Sequence, residues 1–155
     1  MSGLDTITIG ERFDYGTHDF TAEEIVRFAR KFAPQPFHLD PVAARESLFG
    51  ALCASGWHTA AVWMQKHVAH RKAWFDSLRE GGHPVPQFGP ALGIADLKWP
   101  KPVFADDTVH YFHEFTGKRE RRDNRDWGIV ETVSEGYNQH GDLVISFRNA
   151  ALLKL

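Results

Sequence analysis

The residues of this chain change their spacing at Pro90, and that change limits the folds open to it. Before Pro90, apolar positions such as Ile25, Phe28, Ala29 and Phe32 recur every three to four residues. After it, Val109, Tyr111, His113 and Phe115 alternate with Thr108, His110, Phe112 and Glu114. The first spacing places side chains on one face of a helix and the second on one face of a strand.

Local signals then position the elements. Thr21-Ala22-Glu23-Glu24 is a capping-box pattern that predicts a helix over 22–32, ended by Pro34. Asp40-Pro41 combines an N-cap with proline at the first helical position, which predicts a short helix through Val42–Glu46. A longer helix is predicted from Gly56 to about Arg79, with Trp57, Ala60, Ala61, Met64, Val68 and Phe75 as the stripe facing the core. The Gly81–Pro86 stretch interrupts regular structure. Further strands are expected near 11–19, 91–99, 127–137 and 143–154, with turns at Asp123-Asn124 and His140-Gly141-Asp142. Helices followed by a run of strands, with one long helix free to cover a sheet face, argue for an α+β chain of about five strands rather than alternating βαβ units.

Composition decides the broad class. With 155 residues, 43% of them hydrophobic and 13% aromatic, the chain has material for one domain, 1–155, with its own core. A formal net charge of −2 gives no electrostatic case for nucleic acid as a partner. Cys53 is the sole cysteine, so no intrachain disulfide and no cysteine-based zinc site can form within one chain, which fits a reducing cytoplasm. The first ten residues lack a basic start and a long apolar run, and no segment nears the ~18 apolar residues of a membrane helix. A soluble, cytoplasmic, unexported chain is expected, with no membrane partner.

The chemistry concentrates in Gln35-Pro36-Phe37-His38-Leu39-Asp40 and in Ala54-Ser55-Gly56-Trp57-His58. His38 supplies a group that gains or loses a proton near neutral pH. Gly56, at the start of a helix, can aim an unobstructed backbone N–H at developing negative charge. Each also has a plainer reading: His38 as a buried histidine bonded to a backbone carbonyl, and Gly56 as relief of crowding where helix meets sheet. Ser55 is either a helix cap or a ligand contact, and Asp40 reads as a cap.

These residues resemble the MaoC-like, R-specific enoyl-CoA hydratase group of single hotdog domains. Its pattern, Asp-x-Asn-Pro-x-His-x-Asp, is met by Gln35-Pro36-Phe37-His38-Leu39-Asp40 with glutamine for asparagine, and its later small-residue-Gly turn by Ala54-Ser55-Gly56 at the family's spacing. Pro90–Gly93, Trp99–Val103 and Asn138-Gln139 with Gly141 extend the likeness over nearly the whole chain. The resemblance implies a curved antiparallel sheet wrapped around the long helix, and a homodimer or higher homo-oligomer joined edge to edge. It implies an acyl-CoA or acyl-carrier thioester as partner and no metal or redox cofactor, coenzyme A entering only as part of the substrate. The implied reaction is hydration of a 2-enoyl thioester, or the reverse dehydration, in fatty acid metabolism. His38 and Gly56 take the catalytic positions, with Gln35, Ser55 and Trp57 against the substrate. The family's aspartate position, five before the histidine, is Ala33.

That alanine leaves three readings open: a hydratase, a thioesterase on the same fold, and a noncatalytic subunit that binds acyl thioesters. Other residues carry weaker signals. Cys53, among Ala51, Leu52 and Ala54, reads as a small apolar residue rather than a nucleophile. His67 and His70 share a helix face without a third metal ligand in the pattern. The basic run from Lys118 to Arg125 lies at a hairpin, where it is either solvated or available to the phosphates of coenzyme A.

Overall fold

The structure, a computed structural model, describes residues 2–155. A single 3-10 turn, Gly3–Thr6, precedes strand β1 (Arg12–Asp19). Four helices follow, α1 (Ala22–Phe32), α2 (Pro36–Leu39), α3 (Pro41–Arg45) and α4 (Gly56–Glu80), and then β2 (Phe88–Lys98), β3 (Thr108–Glu120), β4 (Trp127–Tyr137) and β5 (Leu143–Lys154). All strand pairs are antiparallel, in the order β1-β3-β4-β5-β2. This is the α+β hotdog arrangement, with α4 lying across the sheet.

The caps expected from sequence form. Thr21 Oγ1 accepts from Glu24 N–H at 3.2 Å, and Asp40 Oδ1 accepts from Val42 N–H at 2.9 Å. The alternation in β3 is also present, with Val109, Tyr111, His113 and Phe115 all buried. The Tyr111 hydroxyl donates to the Thr59 carbonyl at 2.9 Å and so ties the sheet to α4. Around that contact pack Phe20, Ile25, Val62, Trp63 and Phe147. Burying each such side chain contributes about 1.5–3 kcal/mol, enough for this layer to hold helix on sheet.

Two expectations need correction. Strand β2 starts at Phe88 and runs through Pro90 instead of beginning at 91. A proline is tolerated there because β2 pairs only with β5, and the register shifts between Phe88 and Ala91, so no ladder hydrogen bond needs the missing N–H. The apolar stripe assigned to α4 is not the face that meets the core: Trp57, Met64 and Val68 are 59%, 49% and 60% exposed. The buried face is His58, Thr59, Val62 and Trp63. Its polar members are tolerated because Thr59 Oγ1 donates to the Gly56 carbonyl at 2.6 Å and His58 Nε2 meets Glu24 at 3.1 Å.

Strands β1 and β2 are the two edges of the sheet, and on β2 Leu92 and Ile94 are more than half exposed. Among the described residues, no helix is long and apolar enough to cross a membrane.

Candidate active site

Backbone chemistry brings the two halves of the sequence motif together. Pro34 ends α1, and Pro36 starts the one-turn α2, in which Asp40 N–H donates to the Pro36 carbonyl at 3.0 Å. The segment 52–54 is then held on both sides. Cys53 N–H donates to the Phe37 carbonyl at 3.2 Å, while Ala54 N–H donates to Val103 O at 2.8 Å and Ala105 N–H to Leu52 O at 3.0 Å. That places the Cys53 carbonyl 2.6 Å from His38 Nδ1.

A carbonyl can only accept, so His38 Nδ1 carries the hydrogen and Nε2 presents a lone pair. The His38 ring is 7% exposed and forms part of the wall of a cavity of about 420 Å³. The plainer reading and the functional one therefore describe different nitrogens of one ring: Nδ1 is satisfied by the backbone, and Nε2 remains available.

Gln35, Ser55, Gly56 and Trp57 line the same cavity. Ser55 Oγ accepts from Trp57 N–H at 3.3 Å and caps α4, which leaves the hydroxyl hydrogen free. Gly56 is the first residue of α4, and its N–H has no partner among the described residues. It points out of the positive end of a 25-residue helix, where an anion is favoured. The glycine is also demanded by packing, since a Cβ there would lie 2.5 Å from the Trp99 indole. Gly56→Ala is thus expected to push Trp99 aside and to lower stability by about 1–3 kcal/mol. Urea midpoints would measure the loss, and tryptophan fluorescence the displaced ring.

Trp99 stands among the residues the sequence offered for setting pocket depth, whereas Lys101, Val103 and Val144 went unrecognised as cavity residues. Trp99 meets Trp57 edge to face at 5.2 Å, and Lys101, Val103 and Val144 complete the wall. Lys101 is the cation of this site, and its Nζ reaches Asp142 at 3.1 Å. The Trp99-Pro100-Lys101-Pro102 run, extended and kept out of a helix by its prolines, was the available signal. No carboxylate lines the cavity among the described residues.

Ala33 is half-buried at the end of α1 and does not line the cavity. The nearest acid on the buried side of α1, Glu24, is committed elsewhere: its Oε1 accepts from His18 Nε2 at 2.8 Å and His58 Nε2 at 3.1 Å. Burial pulls the His58 pKa down despite that carboxylate.

Burial also pushes the Cys53 thiol up to about 11, which keeps it protonated and unsuited to nucleophilic attack. In the basic run, Lys118 Nζ donates to the Leu4 and Ile7 carbonyls at 2.9 and 2.7 Å, and Arg121 pairs with Asp123. None of that run lines the His38 cavity. His67 and His70 belong to no group of three or more His, Cys, Asp or Glu side chains placed to hold a metal, among the described residues.

Fold and cavity together define a hotdog protein whose pocket joins an imidazole lone pair to a free helix-start N–H. Residues 6–136 match the family described as MaoC like domain, and the chain belongs to that family. It is 34% identical to the MaoC-like dehydratase from Rhodospirillum rubrum, with a TM-score of 0.80 over 97% of this chain and 95% of that one. It is 27% identical over 151 residues to the uncharacterized protein YdeM of Bacillus subtilis strain 168, covering 97% of this chain and 98% of that protein. The (R)-hydratase from A. caviae involved in PHA biosynthesis shares the fold at 22% identity, with a TM-score of 0.66 over 97% of this chain and 98% of that one. The Rhodospirillum rubrum and A. caviae proteins are, by name, a dehydratase and a hydratase, which places the family at the level of hydratase and dehydratase chemistry.

Proposed function

We propose that the protein adds water to a 2-enoyl thioester, or removes it from the 3-hydroxyacyl thioester, with His38 as proton carrier and Gly56 N–H as oxyanion donor. The observation that carries this reading is the presence, in one cavity, of an Nε2 lone pair fixed by the Cys53 carbonyl and of a Gly56 N–H without a partner. In the forward direction Nε2 takes a proton from water as its oxygen bonds to C3. The electron pair of the double bond moves to give an enolate, whose oxygen accepts from Gly56 N–H. The imidazolium then returns the proton to C2, so that one water is added and the histidine is regenerated. Gln35 and the Ser55 hydroxyl hold the water and the acyl group, and Trp57 and Trp99 form the wall. Lys101, at the cavity wall, is the cation available to a coenzyme A phosphate or an acyl carrier's phosphopantetheine.

A second reading rests on the lack of a carboxylate along the cavity wall. A hotdog subunit with this pocket and one acid/base group would bind the thioester without turning it over. A thioesterase would use the same histidine to direct water at the carbonyl.

Crotonyl-CoA distinguishes the three. Loss of the conjugated enoyl absorbance without release of free thiol is the result expected for hydration. Thiol release would replace this reading with hydrolysis, and binding by calorimetry without either signal would replace it with the noncatalytic subunit.

We also propose that two copies pair through the β2 edge and the exposed α4 stripe. Leu92 on β2, and Trp57, Met64 and Val68 on α4, are apolar and about half exposed or more, and an unpaired edge strand is a ready template for another strand. Leu92→Asp is expected to shift light-scattering mass from dimer to monomer. An unmodified protein that is already monomeric would remove the proposal.

A further inference from the structure

A second cavity, of about 510 Å³, lies between the C-terminal half of α4 and strands β2 to β5. Trp63, His67 and Arg71 line it at intervals of four, one turn above another on a single helix face. All three present hydrogen-bond donors that nothing accepts. Trp63 Nε1 is buried without a partner, in a residue 5% exposed. The Tyr15 hydroxyl lies 2.7 Å from His67 Nδ1; a phenol is the stronger donor of the two and a neutral imidazole nitrogen the stronger acceptor, so the phenol donates. His67 therefore carries its own hydrogen on Nε2. The His67 ring is stacked on Trp63 at 4.7 Å, which fixes both donors side by side.

Arg71 completes the set. Its guanidinium sits 3.8 Å over the Phe88 ring and has no ion-pair partner among the described residues. The one acid on the following turn, Asp76, is held by Lys72 and by Arg79, each at 2.8 Å. Three cations and no carboxylate line the cavity. A buried donor left unmet is destabilising, so an array of them beside an uncompensated guanidinium is complementary to an anionic acceptor. The remaining walls, including Phe75, Phe88 and Val130, suit a hydrocarbon chain.

We propose that this cavity binds the carboxylate end of an apolar chain, with Arg71 as its counter-ion and Trp63 Nε1–H and His67 Nε2–H as donors. Gly56, Trp63 and His67 fall within about 40° of one another around α4, at ~100° per residue, so the two cavities follow each other along one helix face. Resting on the acyl-thioester reading, the chain is the substrate's own acyl group and the carboxylate its far end. Gly56 and His67 are about 16 Å apart along the helix axis, at ~1.5 Å per residue, which a crotonyl group does not span.

Calorimetric titration of the unmodified protein with octanoate and with octanamide tests the site directly. Octanoate is expected to bind about tenfold or more tightly than the amide, with the preference lost in Arg71→Gln and largely kept in Arg71→Lys. Equal binding of the two ligands to the unmodified protein, which needs no variant to fold, overturns the proposal. So does a preference that survives Arg71→Gln.

A second arm compares kcat/KM for dodec-2-enoyl-CoA with that for the same chain ending in a carboxylate. For a substrate tail, Arg71→Gln lowers the carboxylate-to-methyl ratio about tenfold. A ratio indifferent to Arg71 overturns the substrate assignment and leaves a free carboxylate as the ligand. Absence of crotonyl-CoA turnover would remove the hydratase reading, while the octanoate comparison would still decide the site.

Discussion

Ala33→Asp is expected to raise the rate of crotonyl-CoA hydration by about 10²–10⁴-fold, the usual contribution of one positioned acid/base group. His38→Ala should abolish hydration by both the unmodified protein and the Ala33→Asp variant. The cavity supplies the reason for the asymmetry. Hydration needs two proton transfers, one off the water and one onto C2, and a single imidazole must perform both in turn. Position 33 stands at the end of α1, where Gln35 N–H donates to the Ala33 carbonyl at 2.7 Å in a tight turn, and Gln35 already lines the cavity. A carboxylate two residues before Gln35, reaching into the cavity where the alanine methyl does not, would take one of the two proton transfers and release the histidine from double duty. Enoyl absorbance measures both variants. Turnover unaffected by His38→Ala would sink the mechanism, and an Ala33→Asp protein no faster than its parent would show that the cavity's missing acid does not come from this position.

Much of the scaffold could be read from local chemistry because local chemistry builds it. Thr21, Asp40 and Ser55 each bond a backbone N–H two or three residues ahead, so their helices start where the caps stand. The His140-Gly141-Asp142 turn forms because Gly141 adopts φ of 80° and Asn138 Oδ1 accepts from two backbone N–H groups across it. That Gln35, His38, Ser55 and Gly56 would share one cavity was legible for another reason: they lie within two short runs, and the run at 52–54 is clamped between them and the 103–105 segment.

What escaped depends on contacts between residues far apart in the chain. Lys101 and Val144 become cavity wall only when the sheet closes against α4, and Tyr15 meets His67 across 52 positions. The α4 stripe shows why periodicity alone misleads. A 3.6-residue repeat marks an apolar face without saying what covers it. Here the protein's own sheet takes the face with His58 and Thr59, where His58 Nε2 meets Glu24 and Thr59 Oγ1 bonds the Gly56 carbonyl, and leaves Trp57, Met64 and Val68 outward. The exposed stripe and the exposed β2 edge are thus two marks of one surface requirement, which is why both enter the proposed dimer.

Acid should unfold the protein early, beginning well above the carboxylate range. His113 is 3% exposed, and burial, aided by the neighbouring His67 and Arg71, holds its pKa down at about 3. Burial and Arg71 likewise hold His67 at about 4. In the unfolded chain both return to about 6.5. Above that value neither state binds the protons and stability is flat. Below it the unfolded chain takes them up and the folded protein does not, so stability falls as pH drops from about 6.5 towards 4. By pH 4.5 the loss is about 2.5 kcal/mol for each histidine, and about 5 kcal/mol together is a large part of a typical 5–15 kcal/mol. The carboxylates whose pKa is lowered, such as Asp14 beside His110, contribute at the acid end of this range, so the window above pH 4.5 belongs mainly to histidines. Urea midpoints between pH 7 and 4.5 measure the slope. His113→Gln keeps a neutral group able to meet Ser134, whose hydroxyl lies 2.9 Å from His113 Nδ1. It should flatten the slope by about one proton, near 1.4 kcal/mol per pH unit. A variant with the parent's slope would mean that His113 titrates in the folded state like a solvated histidine, and that the pocket of donors along α4 is far wetter than its burial implies.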